Sequence, residues 1–218
     1  MLILMPLCLI FAALVLQNEE KKQYVPAAVF KALASICFVI LGFLCAHGGR
    51  TSVLLLIGLI FGAVADVLLN LRNVVTEKGR LIFLVGILVF LLGHIMYLAA
   101  VLPLIRLKLA AVLVGVVFTA GLMKWIFTKI TAEKAFKAFG IVYVGAITIL
   151  NVVALFILIE HLTPFAAYFM IGAFLFLVSD IILILNTFGE ESKLKLRVVN
   201  LTLYYIGQLL IAYSLSVL

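Results

Sequence analysis

An all-α membrane bundle of eight transmembrane helices, built as two parallel four-helix repeats, is the fold class this sequence predicts, and three observations predict it. Of 218 residues, 67% are hydrophobic and 11% charged, with a mean hydropathy of +1.40, far from the balance of a water-soluble domain. The apolar residues form continuous runs of about 20, the length that crosses a bilayer as a helix, without the period-two alternation of a membrane barrel. Short motifs also recur in the same order in the two halves.

The first span, near residues 2 to 16, lacks a basic leader and a small-residue cleavage site, so it reads as a retained helix with the mature chain starting near Met1. The second, 27 to 46, opens on Phe30-Lys31-Ala32, and the third, 52 to 71, carries Gly58, Asp66 and Asn70. The fourth, 80 to 100, holds Gly93-His94 and Tyr97; in the fifth, 104 to 123, Arg106 and Lys108 intrude. The sixth, 136 to 159, opens on Phe136-Lys137-Ala138 and contains Asn151. The seventh, 163 to 185, carries Gly172 and Asp180, and the eighth, 198 to 218, carries Asn200, Tyr204, Tyr205 and Gln208. These spans leave no room for a further soluble domain, so residues 1–218 form one transmembrane unit with halves of approximately 1–102 and 103–218.

The repeat rests on spacing. Gly58 precedes Asp66 by eight residues, as Gly172 precedes Asp180, and 28 residues beyond each Asp come His94 and Gln208, both after a glycine. Laid over one another, the halves give parallel four-helix units, an arrangement in which a shared site tends to form where the halves meet.

Lys and Arg sort by loop. Thirteen of sixteen flank the odd loops (Lys21, Lys22, Lys31; Arg72, Lys78, Arg80; Lys124, Lys129, Lys134, Lys137; Lys193, Lys195, Arg197), leaving Arg50, Arg106 and Lys108 for the other side. The positive-inside rule then puts the odd loops in the cytoplasm and both termini outside. The net charge of +7 is thereby a matter of membrane orientation, with no basic groove or stripe for nucleic acid. Cys8, Cys37 and Cys45 lie in or beside apolar spans without metal-ligand spacing and read as small packing residues. His47 and His161 belong to the surface opposite the acids and cannot join His94 in a three-histidine zinc site, so no metal is expected.

Asp66 and Asp180 are the only aspartates, and each lies inside an apolar run. A carboxylate in hydrocarbon is costly and is usually turned into the bundle and used. Counted from Arg72 and Asn186, both acids sit ~9 Å inside the cytoplasmic end of their helices. Two carboxyls at one depth on repeat-related helices can serve as an acid and a base drawn from one residue type. The bland alternative is that each caps or cross-links helices or binds an ion. Asn70, one turn beyond Asp66, is placed to hydrogen-bond it or to glue helices together. His94 lies ~21 Å from the cytoplasmic end, deeper than the acids and with no obvious direct link to them. Tyr97, Asn151, Asn200, Tyr204, Tyr205 and Gln208 are further cavity candidates. Lys31 and Lys137 stand where an ammonium meets a phosphate headgroup, or snorkels to the interface.

The runs GLIFGAVADVLLNL (58 to 71), FLLGHIMY (90 to 97) and GAFLFLVSDIIL (172 to 183), with the tyrosine-rich last helix and Gln208, resemble the YhhN-like lysoplasmalogenase family across nearly the whole chain. The resemblance implies an eight-helix integral membrane enzyme, in the inner membrane if the source is bacterial. Its reaction is hydrolysis of the vinyl ether bond of lysoplasmalogens, a class of lysophospholipid, to a fatty aldehyde and glycerophosphoethanolamine or glycerophosphocholine. It further implies that Asp66 and Asp180 are the catalytic pair. Lys31, Asn70, His94, Tyr97, Asn200, Tyr204 and Gln208 are then expected to line the lipid site, with no cofactor. Vinyl ether hydrolysis suits two such acids, because its slow step is proton delivery to carbon and its intermediate is a cation. Bacteria with such proteins can lack plasmalogens, which leaves another lysolipid open as the natural substrate.

Two other readings use the same acids. An intramembrane aspartyl protease would need a GxGD signature, but Ala65 and Ser179 precede the acids and the glycine spacing is wrong. A small transporter or lipid-binding protein could bind protons or cations at the repeat interface. Its helix breakers would be expected mid-span, whereas Pro6, Pro26, Pro103 and Pro164 stay near span ends.

Overall fold

The computed structural model describes residues 3–190 and 192–218, apart from the side chains of residues 134 and 135, so Met1 and the side chain of Lys134 lie outside the described residues. The described chain is all-α. Its helices are α1 (Leu4–Glu20), α2 (Tyr24–Cys45), α3 (Gly49–Leu71), α4 (Gly79–Val101), α5 (Lys108–Phe127), α6 (Lys134–His161), α7 (Pro164–Phe188) and α8 (Leu194–Ser214). Seven of them, α2 to α8, are long and apolar enough to cross a membrane. The eighth differs from the expected span: α1 has 17 residues and its last turn is the polar Gln17-Asn18-Glu19-Glu20, short of the ~20 apolar residues a crossing needs.

Local chemistry sets most of the boundaries. α7 opens on a Thr163 side chain that accepts a hydrogen bond from the Ala166 amide at 3.2 Å, with Pro164 in the first turn, where its missing N–H costs nothing. α6 closes on Leu162 in the left-handed region, φ 49°. The fifth helix starts at Lys108, four residues later than expected, because Leu102–Leu104 form a 3-10 turn around Pro103.

Apolar side chains cover the outside. On α5, Leu109, Leu113, Val116, Val117 and Phe118 are all exposed, a surface suited to lipid. The interior instead gathers Lys31, Ser35, Asp66, Asn70, His94, Ser179, Asp180, Asn200 and Gln208, all buried. The most extensive helix pairs are α7 with α8 and α3 with α4, while α2 packs on α1, α3 and α8 and α6 packs on α4, α5 and α7.

Two glycine contacts permit close crossings. A Cβ at Gly172 would stand 2.8 Å from the Gly207 carbonyl oxygen, and one at Gly207 would stand 2.8 Å from that of Gly172. On α3 and α4, a Cβ at Gly58 would meet the Gly93 carbonyl at 3.1 Å. Backbone cannot give way as a flexible side chain can, so these small residues fix how closely the helices approach. Gly207→Ala is expected to lower the melting temperature in detergent by several degrees. Gly121→Ala, where nothing lies within 4 Å, should leave it unchanged or slightly raised.

Two charges expected at loops are inside. Lys31 is 4% exposed, and the Arg197 guanidinium is held by Glu19 and Asn200. Without them, eleven basic residues remain at the odd loops against three opposite, which preserves the asymmetry.

Candidate active site

Asp66 is built into a buried cluster by three helices. From α2, Lys31 brings its ammonium 3.3 Å from Asp66 Oδ1. One turn later on the same face, Ser35 Oγ donates to Oδ2 at 2.7 Å. From α8, the Tyr204 hydroxyl donates to Oδ2, also at 2.7 Å. Tyr204 in turn accepts from Gln208 Nε2 at 3.4 Å, and Gln208 Oε1 accepts from the Tyr97 hydroxyl at 2.8 Å. Tyr97, Gln208 and Tyr204 thus form one chain of hydrogen bonds that ends on Asp66. Lys31, the proposed free anchor for a phosphate, is committed to this ion pair, because a lone ammonium buried here would need a counter-charge.

Asp180 has a separate set of neighbours. The Tyr143 hydroxyl of α6 donates to its Oδ2 at 2.5 Å, and His94 Nε2 of α4 stands 3.9 Å from the same oxygen. His94 therefore lies beside an acid, contrary to the depth expected from counting residues. The count took the helix ends as level and α7 as ending near Asn186. α7 runs to Phe188, which puts Asp180 ~12 Å from its helix end against ~7.5 Å for Asp66.

No hydrogen bond joins the two carboxyls among the described residues, although Asp66 and Lys31 are near enough to act on Asp180 electrostatically. Aromatic rings fill the space between the two clusters. The Tyr204 ring lies 5.2 Å from Phe176 and 5.8 Å from Phe90, and Phe176 lies 4.8 Å from His94. A cation formed there would face ring quadrupoles as well as carboxylates.

Two of the expected lipid-site residues also make contacts that hold helices together. Asn70 interacts with Glu19 instead of Asp66. Asn200 clamps α8 to α7: its Nδ2 donates to the Ser179 carbonyl at 2.9 Å, and Ser179 Oγ donates to the Asn200 carbonyl at 3.0 Å. Sequence reasoning missed Ser35, Tyr143, Glu19 and Arg197. For Tyr143 the available signal was a lone tyrosine inside the sixth apolar run; for Ser35 it was the position one turn beyond Lys31.

Arg197 grips Glu19 with both arms, its Nε donating at 2.9 Å and a terminal nitrogen at 2.7 Å, and so straps α1 to α8. Burial alone would raise the Glu19 pKa, and the Arg197 hydrogen bond and charge more than reverse that, holding it below the ordinary 4.5. A carboxylate with a depressed folded pKa contributes its stability above the ordinary value and loses it as pH falls through the depressed one. The melting-temperature gap between the native chain and Glu19→Gln is accordingly expected to be full at neutral pH and to close as the medium is acidified below pH 4.5.

Two cavities meet at this site. The first, of about 560 Å³, is polar and lined by Glu19, Lys31, Asn70, Arg72, Lys193 and Arg197 among others. The second is a narrow apolar slot of about 80 Å³ lined by Phe90, Met123, Ile126, Phe136 and Tyr143, with Asp180 on its wall. Leu69, Phe83, Leu183 and Thr187 border both. The Arg72 guanidinium lies 4.2 Å over the Phe83 ring at that border. The arrangement sets a cavity with cationic groups beside an apolar slot that has an acid on its wall. Among the described residues, no group of three His, Cys, Asp or Glu side chains is placed to hold a metal ion.

The sequence matches the YhhN family over residues 26–215. No curated protein and no solved structure matches it.

Proposed function

Because this chain belongs to the YhhN family, we propose that it is a lysoplasmalogenase-like membrane hydrolase, cleaving the vinyl ether bond of a lysophospholipid to a fatty aldehyde and glycerophosphoethanolamine or glycerophosphocholine. The observation that carries this reading is the placement of Asp180 on the wall of an apolar slot that shares a border with a cationic polar cavity. A lysolipid would lay its chain in the slot and its phosphate in the polar cavity near Arg72, bringing the ether linkage to the border. The slot is narrow, so chain binding would require its walls to part.

The two acids then divide the work by their surroundings. Asp180 is the proton donor to the enol carbon: its close hydrogen bond is to the neutral Tyr143 hydroxyl, and that bond to Oδ2 leaves Oδ1 for delivery. Asp66, paired with Lys31, holds Tyr204 in place and lends its negative charge to the oxocarbenium ion. Lys31, His94, Tyr97, Tyr204 and Gln208 support the site around these acids. No cofactor enters the scheme.

We place the basic loops and the polar cavity at the cytoplasmic face and both termini outside, which requires the short α1 to cross as well. Two parallel four-helix repeats form part of the same proposal. Supporting them, the Gly172–Gly207 crossing on α7 and α8 occupies the positions that Gly58 and Gly93 hold on α3 and α4. The contact of α4 with α6 has a counterpart in that of α8 with α2.

The test is substrate discrimination by the purified protein. A lysoplasmalogen is expected to release aldehyde, while the saturated alkyl ether analogue, which has no carbon to protonate, stays intact. Hydrolysis of an acyl lysolipid in preference to the vinyl ether would refute the proposal. Proton or cation flux in proteoliposomes without hydrolysis would favour transport.

A further inference from the structure

One buried polar atom beside Asp180 has no partner. His94 Nδ1 lies 2.8 Å from the Phe90 carbonyl oxygen. A carbonyl only accepts, so Nδ1 carries the ring hydrogen and the neutral ring leaves a bare lone pair on Nε2. Nε2 makes no hydrogen bond among the described residues, and His94 is 1% exposed. The ring is held between Phe176 at 4.8 Å and Tyr143 at 5.2 Å. The atom it faces is Asp180 Oδ2 at 3.9 Å. That separation is too long for a direct hydrogen bond; it is the span that one water oxygen at ~2.8 Å from both would bridge, once the surrounding rings part to admit it. A buried acceptor without a donor is costly, and a functional role or a bound water is what accounts for one.

We propose that His94 Nε2 is the base that holds and deprotonates the hydrolytic water, a catalytic role distinct from lipid binding and resting on the vinyl ether reading above. In the first step Asp180 gives its proton to the enol carbon, the carbon–carbon double bond becomes single, and the adjacent carbon becomes an oxocarbenium centre. Water oxygen then bonds to that carbon while one of its protons moves to Nε2. The hemiacetal collapses as Nε2–H returns this proton to the departing glycerol oxygen and the carbon–oxygen bond breaks. The remaining hydroxyl proton passes to the Asp180 carboxylate as the aldehyde carbonyl forms. One water is consumed, and both side chains end as they began.

The experiment compares wild type, His94→Gln and His94→Phe on a lysoplasmalogen in detergent, each first shown monodisperse by size exclusion, in H2O and in D2O. Wild type should show a solvent isotope effect set by proton delivery to carbon. Both variants should lose about 10²-fold or more in kcat, the usual contribution of a positioned base, and their isotope effect should fall toward unity as water capture becomes limiting. Variants that keep wild-type rates overturn the role. So does a lost rate with an unchanged isotope effect, which is the mark of a merely structural histidine. A wild type that releases no aldehyde overturns the vinyl ether reading, and this role with it.

Discussion

Asp180→Asn is expected to abolish aldehyde release, by about 10³-fold or more, while leaving the protein as stable as wild type or slightly more so. The substitution is nearly isosteric. Its side-chain oxygen can still accept the Tyr143 hydroxyl that now reaches Asp180 at 2.5 Å, so the α6–α7 contact survives. What is lost is the carboxyl on the wall of the apolar slot, the proposed proton donor and the only carboxyl there among the described residues. No ion pair is lost, because the nearest cationic candidate is His94, charged only if protonated, at 3.9 Å. Loss of kcat with an undiminished melting temperature would separate chemistry from folding. Tyr143→Phe offers the graded comparison, removing a single hydrogen bond and leaving the acid in place.

Lys31→Met should have the largest effect on stability. It leaves Asp66, 2% exposed, without the ammonium now 3.3 Å away. Breaking a buried pair from one side costs about 3–5 kcal/mol, whereas removing both charges is often nearly neutral. The double variant Lys31→Met/Asp66→Asn is therefore expected to recover most of the lost melting temperature. It should recover none of the activity, because the negative charge that steadies the cation is gone. If the double variant melts as low as Lys31→Met, the ion pair is not what holds α2 to α3. If it regains activity, Asp66 is a structural residue.

The sequence revealed these two acids because aspartate is rarely tolerated in an apolar run, so each stood out against its neighbours. Their partners were hidden for the opposite reason. Ser35 and Tyr143 are residue types that membrane helices accept at little cost, and only the packing of α2 on α3 and α6 on α7 turns them toward a carboxylate. Lys31 and Arg197 were misplaced because a basic residue near a span end has two destinations, the headgroup layer or a counter-ion inside. The choice depends on Asp66 and Glu19, which are distant in sequence. His94 was misplaced because residue counting measures depth along one helix and carries no information about where the neighbouring helix ends. Helix number and order came through because hydrocarbon imposes long apolar runs locally; the number of spans did not, since the polar last turn of α1 leaves it short.

The proposed joint action of Asp66 and Asp180 is hydrolysis of a vinyl ether in the membrane. Its most direct test is aldehyde release from a lysoplasmalogen by purified wild type, Asp66→Asn and Asp180→Asn at equal folded concentration. Aldehyde is expected from wild type and essentially none from either variant. Equal release by wild type and one of the variants, or none from a well-folded wild type, would contradict it.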